Sequence, residues 1–115
     1  MTKPRFVKEK DAVKEMRAIG VDKRGIPYMA DKTRFRLIKM YGIRNAVANI
    51  MKEEMLALGG DVAKNKGCVN CAVAKSDVLI IGTLKQIKGL IRKLKANVAE
   101  CPKVALDIEK AIRKI

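Results

Sequence analysis

The stretch "DVLIIGT", residues 77–83, decides how this 115-residue chain is read. Four consecutive apolar residues, Val78 to Ile81, are too few for a helix and are bounded by Asp77 and Gly82, so the spacing predicts a strand. Unbroken rather than alternating hydrophobicity predicts burial on both faces, as in a sheet covered by helices. Thr83 then has the chemistry of a helix N-cap, with Gln86 three residues on to complete a capping box. In the helix that follows, Leu84, Ile87, Leu90, Ile91 and Leu94 make an inner stripe while Lys85, Lys88, Arg92, Lys93 and Lys95 lie outside it.

Outward from that point, the same reading predicts a last helix from Cys101 and Pro102, with Val104, Ala105, Ile108, Ala111, Ile112 and Ile115 facing inward. Upstream, Val47, Ile50, Met51, Met55 and Leu58 predict a helix over 44–58, ended by Gly59 and Gly60. A second helix is expected from Asp31 through Phe35, Leu37, Ile38 and Tyr41 to Gly42. A first one, with Ala12, Val13, Met16 and Ile19 at helical spacing, lies between Asp11 as N-cap and Gly20. "VDKRGIPYMA" reads as a loop, "PRFVKE" as an edge strand or ordered arm within residues 1–10, and "DVAKN" and "CVNCAVAK" as short extended pieces. The expectation is one α/β domain over 1–115: helix-rich, layered, with about three strands and a central buried strand at 77–82.

Charge is the strongest compositional signal: 26 Lys and Arg stand against 12 Asp and Glu, a formal net charge of +14. Such an excess draws polyanions before any specific contact forms. A basic RNA- or polyanion-binding module is therefore one functional class to carry forward. Only Phe6, Tyr28, Phe35 and Tyr41 are aromatic, and their spacing gives no clustered stacking platform. A continuous basic patch across several elements favours nucleic acid; lysines around a defined cleft favour a ligand or a partner domain. No apolar run approaches the roughly 18 residues of a membrane span and no signal-peptide core is present. The expected location is the cytoplasm, with no membrane partner.

Three cysteines in a reducing compartment argue against a disulfide framework. Cys68 and Cys71 form a CxxC pair, but a structural zinc site needs four ligands, and only Cys101 and no histidine can add to them. The pair precedes a strand, so the helix dipole that activates thioredoxin-like thiols is missing. The plainest reading places Cys71 as a small buried residue and Cys68 in a turn, with metal shared across a dimer and redox chemistry as alternatives. Neither G-x-G-x-x-G nor G-x-x-x-x-G-K-[ST] occurs, and the commonest general base near neutral pH is lacking. Nothing here calls for a cofactor or a catalytic residue.

Two stretches, "GVDKRGIPYMADKTRFRLIKMYGIRNAVANIMKEEMLALGGDVA" and "CAVAKSDVLIIGTLKQIKGLIRKLK", carry a family resemblance. Gly20, Val21, Asp22, Gly25, Ile26 and Met29, then Ala48, Asn49, Ile50, Glu54, Met55, Leu56, Gly59, Gly60 and Asp61, then Cys71, Asp77, Val78, Leu79, Gly82, Thr83, Leu84 and Gln86 are similar in order and spacing to the N-terminal extension before the barrel in a subset of dihydropteroate synthases and related proteins. The block covers residues 20–95. A (β/α)₈ barrel takes about 250 residues, and these 115 contain none, so no synthase site residue carries over. The resemblance implies a non-catalytic accessory module that pairs with itself or with a partner protein. Gly59, Gly60, Asp61, Gly82 and Thr83, at element ends along one edge of the sheet, are the candidate seat for a small anionic or pterin-like ligand.

Overall fold

The structure, a computed structural model, describes residues 3–114. Its frame is a three-stranded sheet of β1 (Phe35–Arg44), β2 (Asp61–Lys64) and β3 (Lys75–Thr83), ordered β1-β3-β2 with both pairings antiparallel. Helices α3 (Asn45–Ala57) and α4 (Leu84–Lys95) follow β1 and β3, and α5 (Cys101–Arg113) packs on α4. The chain thus runs β-α-β-β-α, with β1 and β2 parallel to each other and β3 inserted between them, a split β-α-β arrangement. The fold class expected from sequence, mixed α/β with a central strand over 77–82, is the one observed.

The sheet is buried on one face. Ser76, Val78, Ile80 and Gly82 of β3 point into the helical layer and are buried, whereas Leu79 and Ile81 on the other face stay half-exposed. The expectation of burial on both faces is therefore corrected: β3 is central because it has a strand on each side, and helices cover only its inner side. Register carries the same division into the neighbours, because directly opposed residues share a face. Ile38 opposes Ile80 and Met40 opposes Val78 within the core, while Leu37 opposes Ile81 and Lys39 opposes Leu79 outside it. Val62 of β2 completes the inner row beside Ile80. Met51, Met55, Ile87, Leu90, Leu94 and Ile108 cover that row from the helices.

The helix expected from Asp31 to Gly42 is instead a 3₁₀ turn, Asp31–Thr33, followed by β1. Phe35, Leu37, Ile38 and Tyr41 fit a helical stripe, but residues 35–41 also alternate, and the ladder offered by β3 selects the alternating reading. Strand propensity depends on such a partner. Tyr41 and Gly42 form a bulge between the paired Met40 and Ile43; Gly42 has φ +63°, and its N–H donates to Asp77 Oδ1 at 3.1 Å.

Other expectations divide similarly. α3, α4, α5 and α1 (Ala12–Ile19) lie where the apolar spacing placed them, and Gly20 ends α1 at φ +90°. Asp11 precedes α1 without a side-chain cap bond. The presumed loop after Gly20 contains a short helix α2 (Ile26–Ala30), and residues 3–8 form no strand. "DVAK" is β2, but residues 66–74 are a 3₁₀ turn and bends rather than an extended piece. Ile115 and the first two residues of the arm lie outside the described residues.

Residues 3–42 include no buried residue, and the molecule measures 55 × 28 × 24 Å. The arm is fastened where Asp31 accepts from Lys88 Nζ at 2.6 Å and Glu9 accepts from Arg36 at 2.7 Å. At the other end of β1, Arg44 donates two hydrogen bonds to Glu100 ahead of α5, at 2.8 and 3.0 Å. That guanidinium holds the Glu100 carboxyl at about 2.

One-sided burial has a measurable consequence. Ile80→Ala empties a fully enclosed site and is expected to cost about 2–5 kcal/mol, whereas Leu79→Ala, on the half-exposed face, is expected to cost about 1 kcal/mol or less. Urea unfolding of the two variants checks this; equal losses would mean that both faces are enclosed.

Candidate functional site

The turn after α3 and the turn between β3 and α4 meet at one corner of the molecule. Gly59 takes φ +92°, and the Gly60 N–H returns to the Met55 carbonyl at 3.0 Å, which lays the backbone against the end of β3. All five residues of the candidate seat, Gly59, Gly60, Asp61, Gly82 and Thr83, come together here. The glycines, however, are used for packing. A Cβ on Gly60 would stand 2.7 Å from the Ile81 carbonyl oxygen, and one on Gly82 would stand 2.5 Å from Met55 Cε and 2.9 Å from Gln86 Oε1.

The remaining polar groups are also occupied. Thr83 Oγ1 accepts from the Gln86 N–H at 3.2 Å and Gln86 Oε1 accepts from the Thr83 N–H at 2.9 Å, so the capping box read from sequence is complete. The N-terminus of α4 thus satisfies two of its own free donors. Asp61 accepts from Lys52 Nζ at 3.0 Å and from the Val62 N–H at 2.7 Å, and the Lys52 bond leads in holding its carboxyl below the usual aspartate range.

The open space lies beside this corner. A cavity of about 360 Å³ is lined by Lys32, Leu58, Thr83, Lys85, Gln86 and Arg92. Lys32 comes from the 3₁₀ turn before β1, Leu58 from the end of α3, and Lys85 and Arg92 from one face of α4, seven residues apart. None of the three cations has an ion-pair partner among the described residues. Their neighbours on α4 do: Lys88 pairs with Asp31, Lys93 with Glu54 at 3.2 Å, and Lys95 with Glu109 at 3.0 Å. Positive charge without a counter-ion therefore converges on a hollow with one apolar wall. Sequence reading had placed Lys85 and Arg92 on the outer face of α4 but could not add Lys32, which a helix over 31–42 would have carried elsewhere.

Cys68 and Cys71 face different surroundings. Asn49 Nδ2 donates to the Cys68 carbonyl at 3.1 Å and Asn45 Nδ2 to that of Val73 at 2.9 Å, so α3 clamps the 66–74 loop and seats Cys68 in the core. Cys71 lies exposed at the tip of the loop with φ +61°. The plain reading of the pair is thus reversed: Cys68 is the buried residue and Cys71 the one in the turn. Among the described residues no three Cys, Asp or Glu side chains are grouped as a metal site would need. Burial leads in raising the Cys101 thiol above its ordinary value.

No family model, curated protein or solved structure matches this chain.

Two outcomes follow from these placements. Under native conditions a thiol reagent is expected to modify Cys71 promptly, and Cys68 and Cys101 only on unfolding, as mass spectrometry of labelled peptides would show. Gly82→Ala is expected to destabilise the fold by about 1–3 kcal/mol through overpacking against Met55, read as a lower urea midpoint. An unchanged midpoint would mean that the corner has room to spare.

Proposed function

We propose that this chain is a non-catalytic binding module for a small anionic ligand with a flat apolar body, held in the cavity between the 3₁₀ turn before β1, the end of α3 and α4. One observation carries the reading: Lys32, Lys85 and Arg92, all without carboxylate partners, converge with Leu58 on one hollow of about 360 Å³. Binding pockets combine an apolar wall with a few convergent polar groups in this way. A guanidinium can take a carboxylate or phosphate in two parallel hydrogen bonds, while the two ammonium groups act as point charges. Leu58 offers the surface against which a ring would lie.

The resemblance of residues 20–95 to the extension of dihydropteroate synthases narrows the ligand to a pterin-like or folate-precursor compound and the role to an accessory one beside a partner protein. In this reading the seat shifts from Gly59, Gly60, Asp61 and Gly82, which pack the corner, to the side chains next to it. Thr83 remains at the rim, where its hydroxyl caps α4.

A second reading, an RNA- or polyanion-binding surface, is favoured by one feature. The cavity borders a hollow between α4 and α5 lined by Lys88, Arg92, Lys95 and Arg113 together with Glu109, Ile91 and Ile112, so basic side chains continue along α4. Lys88, Lys95 and Arg113 are each paired with a carboxylate, which weakens that strip relative to the unpaired trio. Cysteine-dependent metal or redox chemistry is the third reading and gains least from the separation of Cys68 and Cys71.

Titrating pterins, folate precursors and short RNA against the chain while following thermal unfolding separates these readings, because a ligand of the native state raises the melting temperature. The expected result is a rise with an anionic pterin-type compound that is lost in Arg92→Ala combined with Lys85→Ala. No rise at roughly millimolar ligand, where even a weak site is half-filled, would overturn the ligand reading. Salt-sensitive retention of RNA would then favour the second.

A further inference from the structure

We infer that the free edge of β1 is a self-association site, at which β1 of a second copy of this chain pairs antiparallel to make one continuous six-stranded sheet. In the complete six-element form of the split β-α-β pattern, a strand after the second helix lies against the first strand. Here the chain passes from α4 into α5 instead, so β1 stays an edge strand. At its start the Phe35 carbonyl accepts from Arg36 and the Phe35 N–H meets Glu9, and the outer backbone groups of Leu37 and Lys39 are the ones left to pair. Exposure follows that vacancy. On the face away from the helices, Phe35, Leu37 and Tyr41 of β1 are 51, 62 and 72% exposed, while Leu79 and Ile81 of the central β3 are only half-exposed. A long, apolar, uncovered edge strand is the template for pairing with another chain.

The occupant is identified by charge. In a molecule of net charge +14, the open face of the sheet carries Lys39, Arg44 and Lys75 against Asp61 and Asp77. RNA has little to attract it there. Two cations of β1 are neutralised in place, Arg36 by Glu9 at 2.7 Å and Arg44 by Glu100 at 2.8 Å. Lys39 lies along its own strand, its Nζ 5.2 Å from the centre of the Tyr41 ring, rather than reaching across the edge. Two identical edges can therefore approach without opposing like charges.

Register follows from the side chains. A two-fold axis through Ile38 sets Phe35 opposite Tyr41 of the second copy and Leu37 opposite its Lys39, so that aromatic rings pair and each lysine directly faces a leucine, the two Lys39 being diagonal neighbours. The bulge at Tyr41 and Gly42 ends the flat segment on this side. Phe35, Leu37 and Tyr41 with the half-buried Ile38, Met40 and the backbone edge offer on the order of 600–800 Å² per copy, the lower part of the range for a stable dimer. Such an interface is isologous and closes as a pair.

Sedimentation equilibrium of the full chain at roughly 10–100 µM, above the micromolar limit usual for an interface of this size, is expected to give twice the 12.8 kDa chain mass. Leu37→Lys is expected to weaken association by roughly 100-fold, because each dimer then buries two additional charges. Leu106→Lys, at an exposed apolar position on α5, serves as the control and is expected to leave association unchanged. With Cys71→Ser as background, Phe35→Cys combined with Tyr41→Cys is expected to give a crosslinked dimer under mild oxidation. The two positions in one chain are about 20 Å apart, whereas opposed positions in paired strands are about 5 Å apart. A monomer throughout, a dimer indifferent to Leu37→Lys, absence of the crosslink, or RNA retention that depends on Phe35 and Tyr41 would each overturn the proposal. The ligand titration on Leu37→Lys reads the α4 cavity separately.

Discussion

The pairing of β1 with β3 is the constraint on which the rest of the structure depends. It joins residues 35–44 to residues 75–83, some forty positions later, and such contacts are formed only after the entropy of closing the intervening loop has been met. What they return is the inner row of Ile38 against Ile80 and Met40 against Val78, roofed by Met51, Met55, Ile87 and Leu90. Without that ladder, residues 35–41 have an equally good apolar pattern as a helix. β2 has only four residues and could not hold the sheet together alone.

Packing at the corner where α3 turns into β2 depends on the same ladder. Gly82 ends the buried row of β3 at the point where Met55 comes down from α3, and the absence of a side chain lets the two approach. Gln86 fills the other side of Gly82 and closes the capping box with Thr83. Glycines that resemble a ligand cradle in the sequence are thus spent on bringing two turns together, and the hollow opens one layer outward, where Lys32, Lys85 and Arg92 stand. Lys32 reaches it because the arm is held to α4 by Asp31 and Lys88, so the geometry of the cavity is tied to where β1 begins.

These relations mark the limits of what the sequence made legible. The strand at 77–83, the capping box at Thr83 and Gln86, and helices α3, α4 and α5 could be read because each rests on local spacing or on a cap within four residues. β1 was misread because its structure is set by a partner some forty residues away. With it went Lys32, the one cation of the cavity outside α4, and the one-sided burial of the sheet, since Leu79 and Ile81 look as apolar as Val78 and Ile80. Cys68 and Cys71 were exchanged for a similar reason. Asn45 and Asn49 hold the loop to α3 by hydrogen bonds to its carbonyls, and such bonds leave no periodicity in the loop itself.

Electrostatics bears on how one small chain can carry both the cationic cavity and the edge proposed for self-association. Twelve carboxylates cannot neutralise 26 cations, so at least fourteen cations lack a counter-ion, and their distribution decides what the surface attracts. Glu9 and Glu100 are placed on cations of β1, while Lys32, Lys85 and Arg92 around the cavity are left bare. At physiological ionic strength the field of an exposed charge decays over about 8 Å. The cavity stands at the Phe35 end of β1, because Thr83 of its wall pairs with Phe35 and Lys32 lies just ahead of that strand. Each residue of a strand adds about 3.3 Å, so Tyr41 lies about 20 Å further along, where the unpaired cations of the cavity are largely screened. Anion attraction is thereby concentrated at one end of β1, and the stretch toward Tyr41 is left to its few local charges.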